Sequence, residues 1–98
     1  MLIYHIANNT DWERAQAAGS YECESLHAEG FIHLSTKSQL EESLNIYFKD
    51  RTDITILELD SDKIKGTLKW EHSKERGEDF PHLYNPLNVS AVVSAKAR

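Results

Sequence analysis

Cysteine is nearly absent from the chain. Cys23 stands alone, so no intramolecular disulfide can form and a four-thiolate zinc site is excluded. Glycine is scarce too. Four residues, widely spaced, cannot build a glycine-rich phosphate loop, which removes the Rossmann and P-loop readings. No apolar run approaches the roughly 20 residues of a membrane-spanning helix. Met1–Ile6 lacks the basic and long apolar regions of a secretory signal, and the expected location is the cytoplasm. A basic run is also missing. Eleven Lys and Arg residues are scattered among sixteen acidic ones, for a net charge of −5. Such a surface repels phosphate backbones. This argues against bulk nucleic-acid binding but leaves room for one terminal nucleotide.

What remains is a globular composition, 40% hydrophobic and 28% charged, in 98 residues. That length makes one domain over residues 1–98 with a single core and little area for an internal cavity. Any site is therefore expected at the surface, between strands and loops. Leu2–Ile6 reads as a strand. Thr10 to Glu13 forms a capping-box pattern that opens a helix to about Ala18, stopped by Gly19. Ser25–Glu29 suits one helical turn ended by Gly30, and Phe31–Leu34 a short strand. Thr36 to Gln39 is a second capping box, whose helix is expected to turn Leu40, Leu44, Tyr47 and Phe48 inward. Ile54–Asp60 has the β-branched content of a central strand. Thr67–His72 reads as a strand, Ser73–Asp79 as a charged loop, Phe80–Leu87 with both prolines as irregular chain, and Val89–Ala95 as a final strand. Trp12, Leu44, Phe48, Ile56, Leu59 and Trp70 are the expected core. The order points to an α+β fold, a small mixed or antiparallel sheet with two helices.

Chemistry-bearing residues cluster in a few segments. Imidazole serves proton transfer, metal ligation and ribose binding alike. His5 lies in the first strand, His33 where the second strand meets the capped helix, and His82 between the two prolines. A metal site would need three converging ligands, and no His-x3-His pair exists, so no metal ligand is assigned. Ser35 offers a hydroxyl beside His33. Glu71 offers a carboxylate on a strand. The stretch from Phe80 to Leu87 places His82, Tyr84 and Asn85 in a restrained loop, as a binding site requires.

Read together, Ile3-Tyr4-His5-Ile6, Trp12, Gly19-Ser20-Tyr21, Ser25-Leu26, the run Glu29 to Ser35, Trp70-Glu71 and the run Phe80 to Tyr84 resemble, in that order, the bacterial family called domain of unknown function 952. The match runs over nearly the whole chain. That family resembles, more distantly, the ADP-ribosyltransferase fold. In those enzymes a strand bearing Tyr-His supplies a histidine to a ribose of NAD, here matched by Tyr4-His5. A second strand with a Gly-Phe and Ser-Thr pattern is matched by Gly30-Phe31 and Ser35-Thr36. Ile6 and Ala7 depart from the small residue and threonine that follow the histidine. Pro86 follows Tyr84-Asn85 where the approach to the catalytic glutamate is expected.

The resemblance implies a nucleotide-like ligand such as NAD or ADP-ribose, with NAD as a substrate if the protein is an ADP-ribosyl transferase. His5, His33, Ser35, His82 and Tyr84 would bind it, and Glu71 would take the catalytic part. His5, His33 and His82 are expected to face one cleft. Two other readings stay open: a non-catalytic metabolite- or protein-binding module, and a metal- or histidine-dependent hydrolase. The protein is expected to be a monomer or weak dimer.

Overall fold

The computed structural model describes Met1–Arg98. Its elements are β1 (Leu2–Asn8), α1 (Asn9–Ala18), β2 (Ser20–Tyr21), α2 (Glu24–Glu29), β3 (Ile32–His33), α3 (Lys37–Tyr47), β4 (Ile54–Asp60), β5 (Leu68–Ser73), β6 (Glu78–Leu83), β7 (Leu87–Asn88) and β8 (Val92–Ala97), with single 3-10 turns at Ser61–Lys63 and Val89–Ala91. This is an α+β protein. It has three helices rather than two, and every strand pairing is antiparallel.

The strands form three sheets, ordered β1-β4-β8, β3-β6-β5 and β2-β7. β4 is the centre of the first. It pairs with β1 along its whole length and with β8 on its other edge. Ile54, Leu57 and Leu59 are fully enclosed. Leu57 and Leu59 meet Ile3 and Ala7 of β1, and Trp12 and Ala15 of α1, in one core that continues through Leu34 and Leu83.

Residues 32–35 stitch the two larger sheets together. Leu34 N–H donates to the Pro81 carbonyl of β6 at 3.0 Å, and one residue later Ser35 exchanges backbone bonds of 2.7 and 2.8 Å with Tyr4 of β1. Pro81 explains why the segment changes partner. A proline accepts but cannot donate, so β6 has no N–H to return to Leu34, and the β3 ladder ends there. Sequence reasoning expected Phe80–Leu87 to be irregular because it holds both prolines. Instead Pro81 sits inside a middle strand, at the point where one of its edges is released. His82 is accordingly a strand residue and not part of a restrained loop.

Other expectations also change. The Thr10–Glu13 capping box is not made, because α1 begins earlier, at Asn9. Its start is held from outside: Asn9 N–H donates to the Asp53 carbonyl (3.0 Å), and the Thr55 hydroxyl donates to Asn9 Oδ1 (2.6 Å). The Thr36 box is complete, with both reciprocal bonds to Gln39. However, α3 is rotated from its expected facing. Gln39, Leu40 and Ser43 are buried, Leu44 and Phe48 are half-buried and Tyr47 is exposed. The helix docks through polar contacts that hydrophobic spacing does not register. Gln39 Nε2 donates to the Asp79 carbonyl (2.8 Å), and Arg76 Nη1 donates to Ser43 Oγ (3.0 Å). Arg76 also stacks above Phe80, 4.9 Å from its centroid, so the turn between β5 and β6 is pinned. Ile56 is only half-buried, and Trp70 is exposed on β5.

These burials order the energetics. Leu57→Ala should cost about 2–5 kcal/mol, the usual range for emptying an enclosed leucine site, whereas Trp70→Ala should cost about 1 kcal/mol. Urea melts of both variants test this, and equal losses would contradict the placement of Trp70.

Candidate functional site

Three strands carry the candidate site. In the cross-strand register His33 of β3 faces His82 of β6, and His82 faces Lys69 of β5. Paired residues point to the same face of a sheet, as do residues two apart. Phe31 and Glu71 join the row by that rule, and Tyr84, just past β6, completes it. At the far end of the same face Phe80 is buried beneath Arg76, which is itself bonded to Ser43 and the Gln39 carbonyl of α3. The end bearing His33, His82 and Lys69 is left uncovered.

The side chains are tightly interlinked. Glu71 Oε1 accepts from His82 Nδ1 at 2.9 Å and from the Tyr84 hydroxyl. Those two donors, with the nearby Lys69 ammonium, hold the Glu71 carboxyl below its usual range. The same bond raises the Tyr84 phenol above its usual value, with some help from desolvation. An ionised Glu71 requires His82 to carry its proton on Nδ1, which leaves Nε2 as the free nitrogen. His33 has its own carboxylate, with Nε2 donating to Glu29 Oε2 at 2.6 Å. The two imidazoles meet edge to face with centroids 5.4 Å apart, and Phe31 stacks on His82 at 4.1 Å. Lys69 Nζ lies 5.1 Å from the Tyr84 ring centroid.

Of the residues singled out from sequence, His33, His82, Glu71 and Tyr84 meet here. His5 does not. It is buried in β1, with Nδ1 donating to the His33 carbonyl and Nε2 accepting from the Tyr21 hydroxyl, both at 2.7 Å. Neither ring nitrogen is left for a ligand. Ser35 commits its backbone to Tyr4, and its hydroxyl takes no part in the hydrogen bonds of the cluster. Asn85 instead accepts from the Thr67 N–H at 2.6 Å. Sequence reasoning missed Phe31, Lys69 and Glu29. For the first two a signal existed, since each lies two residues from a chosen one on a strand. Glu29 reaches His33 only because Gly30, at φ +91°, turns the chain back after α2.

Two hollows lie elsewhere. One, of about 240 Å3, is lined by Asp11, Arg14, Cys23, Glu24 and His27 among others. The second, of about 390 Å3, lies between Trp12 and Val89, Val92 and Val93. Neither includes a residue of the histidine face. No three His, Cys, Asp or Glu side chains converge to hold a metal ion, and no helix is long and apolar enough to cross a membrane.

Burial sets the charge state of His5, lowering its pKa from 6.5 to about 4 despite the opposing bond from the His33 carbonyl. Between those values the unfolded chain binds a proton that the folded chain refuses. The contribution to stability is therefore complete above 6.5 and is lost as the pH falls through about 4. A shift of this size is worth roughly 3 kcal/mol. His5→Gln, which cannot be protonated, should flatten that dependence. Denaturant melts of both proteins at about pH 7 and pH 4 measure it. A wild-type advantage that does not shrink on acidification would contradict a buried, neutral His5.

The chain is similar throughout to structures of Protein CC0527 from Caulobacter crescentus. The crystal structure superposes with a TM-score of 0.88 at 37% identity, covering 99% of this chain and 85% of that one. The solution NMR structure gives 0.83 at 37% identity, covering 98% and 83%. None of the curated proteins matches. Residues 6–95 match the family described as Protein of unknown function (DUF952), and on that extent of agreement the chain belongs to the DUF952 family.

Proposed function

We propose that the protein binds a nucleotide-class ligand, NAD or ADP-ribose among the candidates, on the face formed by β3, β6 and β5. The observation that carries this reading is the single row of His33, His82 and Lys69 across three strands, with Phe31 and Tyr84 beside it. Lys69 suits phosphate oxygens, and so do His33 and His82 once the ring nitrogen not bonded to a carboxylate takes up a proton. The Phe31 and Tyr84 rings suit the flat face of a base. Glu71 Oε2 is not engaged by His82 or Tyr84 and suits a ribose hydroxyl.

The likeness to ADP-ribosyltransferases supports a ribose-bearing ligand but not the same division of labour. His5, matched in sequence to the ribose-holding histidine, has both nitrogens committed inside the fold. The ligand would lie against His33 and His82 instead. Glu71 serves as the positioning group for His82 and Tyr84, a different duty from that of a carboxylate aimed at an anomeric carbon.

The test is calorimetric titration of NAD, ADP-ribose and AMP into wild type, Lys69→Ala and His82→Ala. At least one ligand should bind wild type. Each variant should lose tenfold or more in affinity, about 1.4 kcal/mol or above, while Lys69→Ala melts within a few degrees of wild type. A bound ligand whose affinity is unchanged in both variants would place the site elsewhere.

A further inference from the structure

We infer that His82 and His33 form a general base and general acid pair that opens phosphodiester bonds of ribonucleotides, with 2′,3′-cyclic phosphates as the simplest substrates. The inference rests on the nucleotide-binding reading above and adds a reaction to it.

Each ring is fixed by its own carboxylate. Glu71 holds His82 at Nδ1, and Glu29 holds His33 at Nε2. One nitrogen of each therefore remains for chemistry, Nε2 of His82 and Nδ1 of His33. With centroids 5.4 Å apart, both rings can reach the oxygens of one phosphoryl group. Lys69 stands next in the row and has no carboxylate within ion-pair distance. It supplies fixed positive charge where an anionic group would rest. The interlinked cluster includes no serine, threonine or cysteine, and Cys23 belongs to the hollow beside α1. The one hydroxyl in the cluster, that of Tyr84, is bonded to Glu71, so the attacking oxygen is assigned to water or to the substrate itself. Glu71 spends Oε1 on positioning His82 and Tyr84, so its assigned part is to orient the base rather than to meet a glycosidic carbon. An acid, a base and a cation without a protein nucleophile match the needs of phosphodiester hydrolysis.

The step balances with water alone. A water oxygen bonds to phosphorus while His82 Nε2 takes its proton. The bond from phosphorus to the 2′ oxygen breaks, and His33 Nδ1 delivers a proton to that oxygen. The product is a 3′-phosphate with a free 2′ hydroxyl. Solvent then removes the proton from His82 and restores the one on His33, so the net change is addition of one water. His82 is given the base's part because Glu71 fixes its tautomer and it is the more enclosed ring, at 14% exposure against 55% for His33.

The experiment incubates the full chain with 2′,3′-cyclic AMP and follows the 3′-phosphate by phosphorus NMR across pH, alongside titration with 3′-AMP. Turnover with a bell-shaped pH profile is expected. His82→Ala and His33→Ala, purified in parallel and checked for wild-type circular dichroism, should each lower the rate about 100-fold or more. His33→Gln serves in place of a variant that fails to fold. Binding of 3′-AMP without turnover overturns the catalytic pair and leaves the nucleotide-binding reading standing. Absence of both binding and turnover overturns both. Turnover that survives in the histidine variants assigns the activity to other residues or to a contaminant and overturns the pair.

Discussion

One neutral imidazole joins the three sheets of this fold. His5 belongs to β1, its Nδ1 proton goes to the carbonyl of His33 on β3, and its Nε2 receives the hydroxyl of Tyr21 on β2. Each strand comes from a different sheet. A protonated ring would have no lone pair to accept the Tyr21 proton and would place an ion where desolvation is costly. The joint therefore depends on His5 staying neutral. It also settles a division of labour within one residue. The backbone of His33 accepts the structural bond, while its side chain projects into the cluster with Glu29 and His82.

The exposed face inherits its geometry from that joint and from Pro81. β3 has only two residues in its ladder with β6 before the chain passes to β1, and those two residues set His33 directly against His82. Arg76 divides the face. Its side chain is 8% exposed, with hydrogen bonds to Ser43 and to the Gln39 carbonyl, a 3.4 Å contact to Glu42 and Phe80 beneath it. That anchorage clamps α3 over one end of the sheet and leaves the other end open beside the histidines. Phosphate recognition would then draw on the local row of His33, His82 and Lys69, in a protein whose overall charge is −5.

Local signals in the sequence carried the fold class and several boundaries. Gly19 and Gly30 do end their helices in the left-handed region, and Thr36 with Gln39 does cap α3. The α+β pattern followed from strand-like runs set among two or three helical ones. Features that depended on a distant partner were not legible. Pro81 looks like a strand breaker until the edge it faces is seen to be vacated. The inward face of α3 is set by Gln39 and Ser43 meeting Asp79 and Arg76, and apolar spacing is blind to such contacts. Trp70 alternates correctly with Glu71 on its strand, yet nothing local says that its face runs out past the core. His5 shows the same limit at the site. Its position beside Tyr4 suited a ligand, and only the placement of Tyr21 and the His33 carbonyl reveals that both of its nitrogens are already bonded.

The central claim is that His5 is a locked structural ring while His33 and His82 form a responsive surface. Two-bond nitrogen–proton NMR of the imidazoles, recorded near pH 7 with and without a nucleotide that binds, tests this directly. The account predicts a single Nδ1-protonated tautomer for His5 whose signals hold still through the titration, and nitrogen shifts that move for both His33 and His82. A His5 ring that exchanges tautomers or moves with ligand while His33 and His82 stay fixed would contradict it.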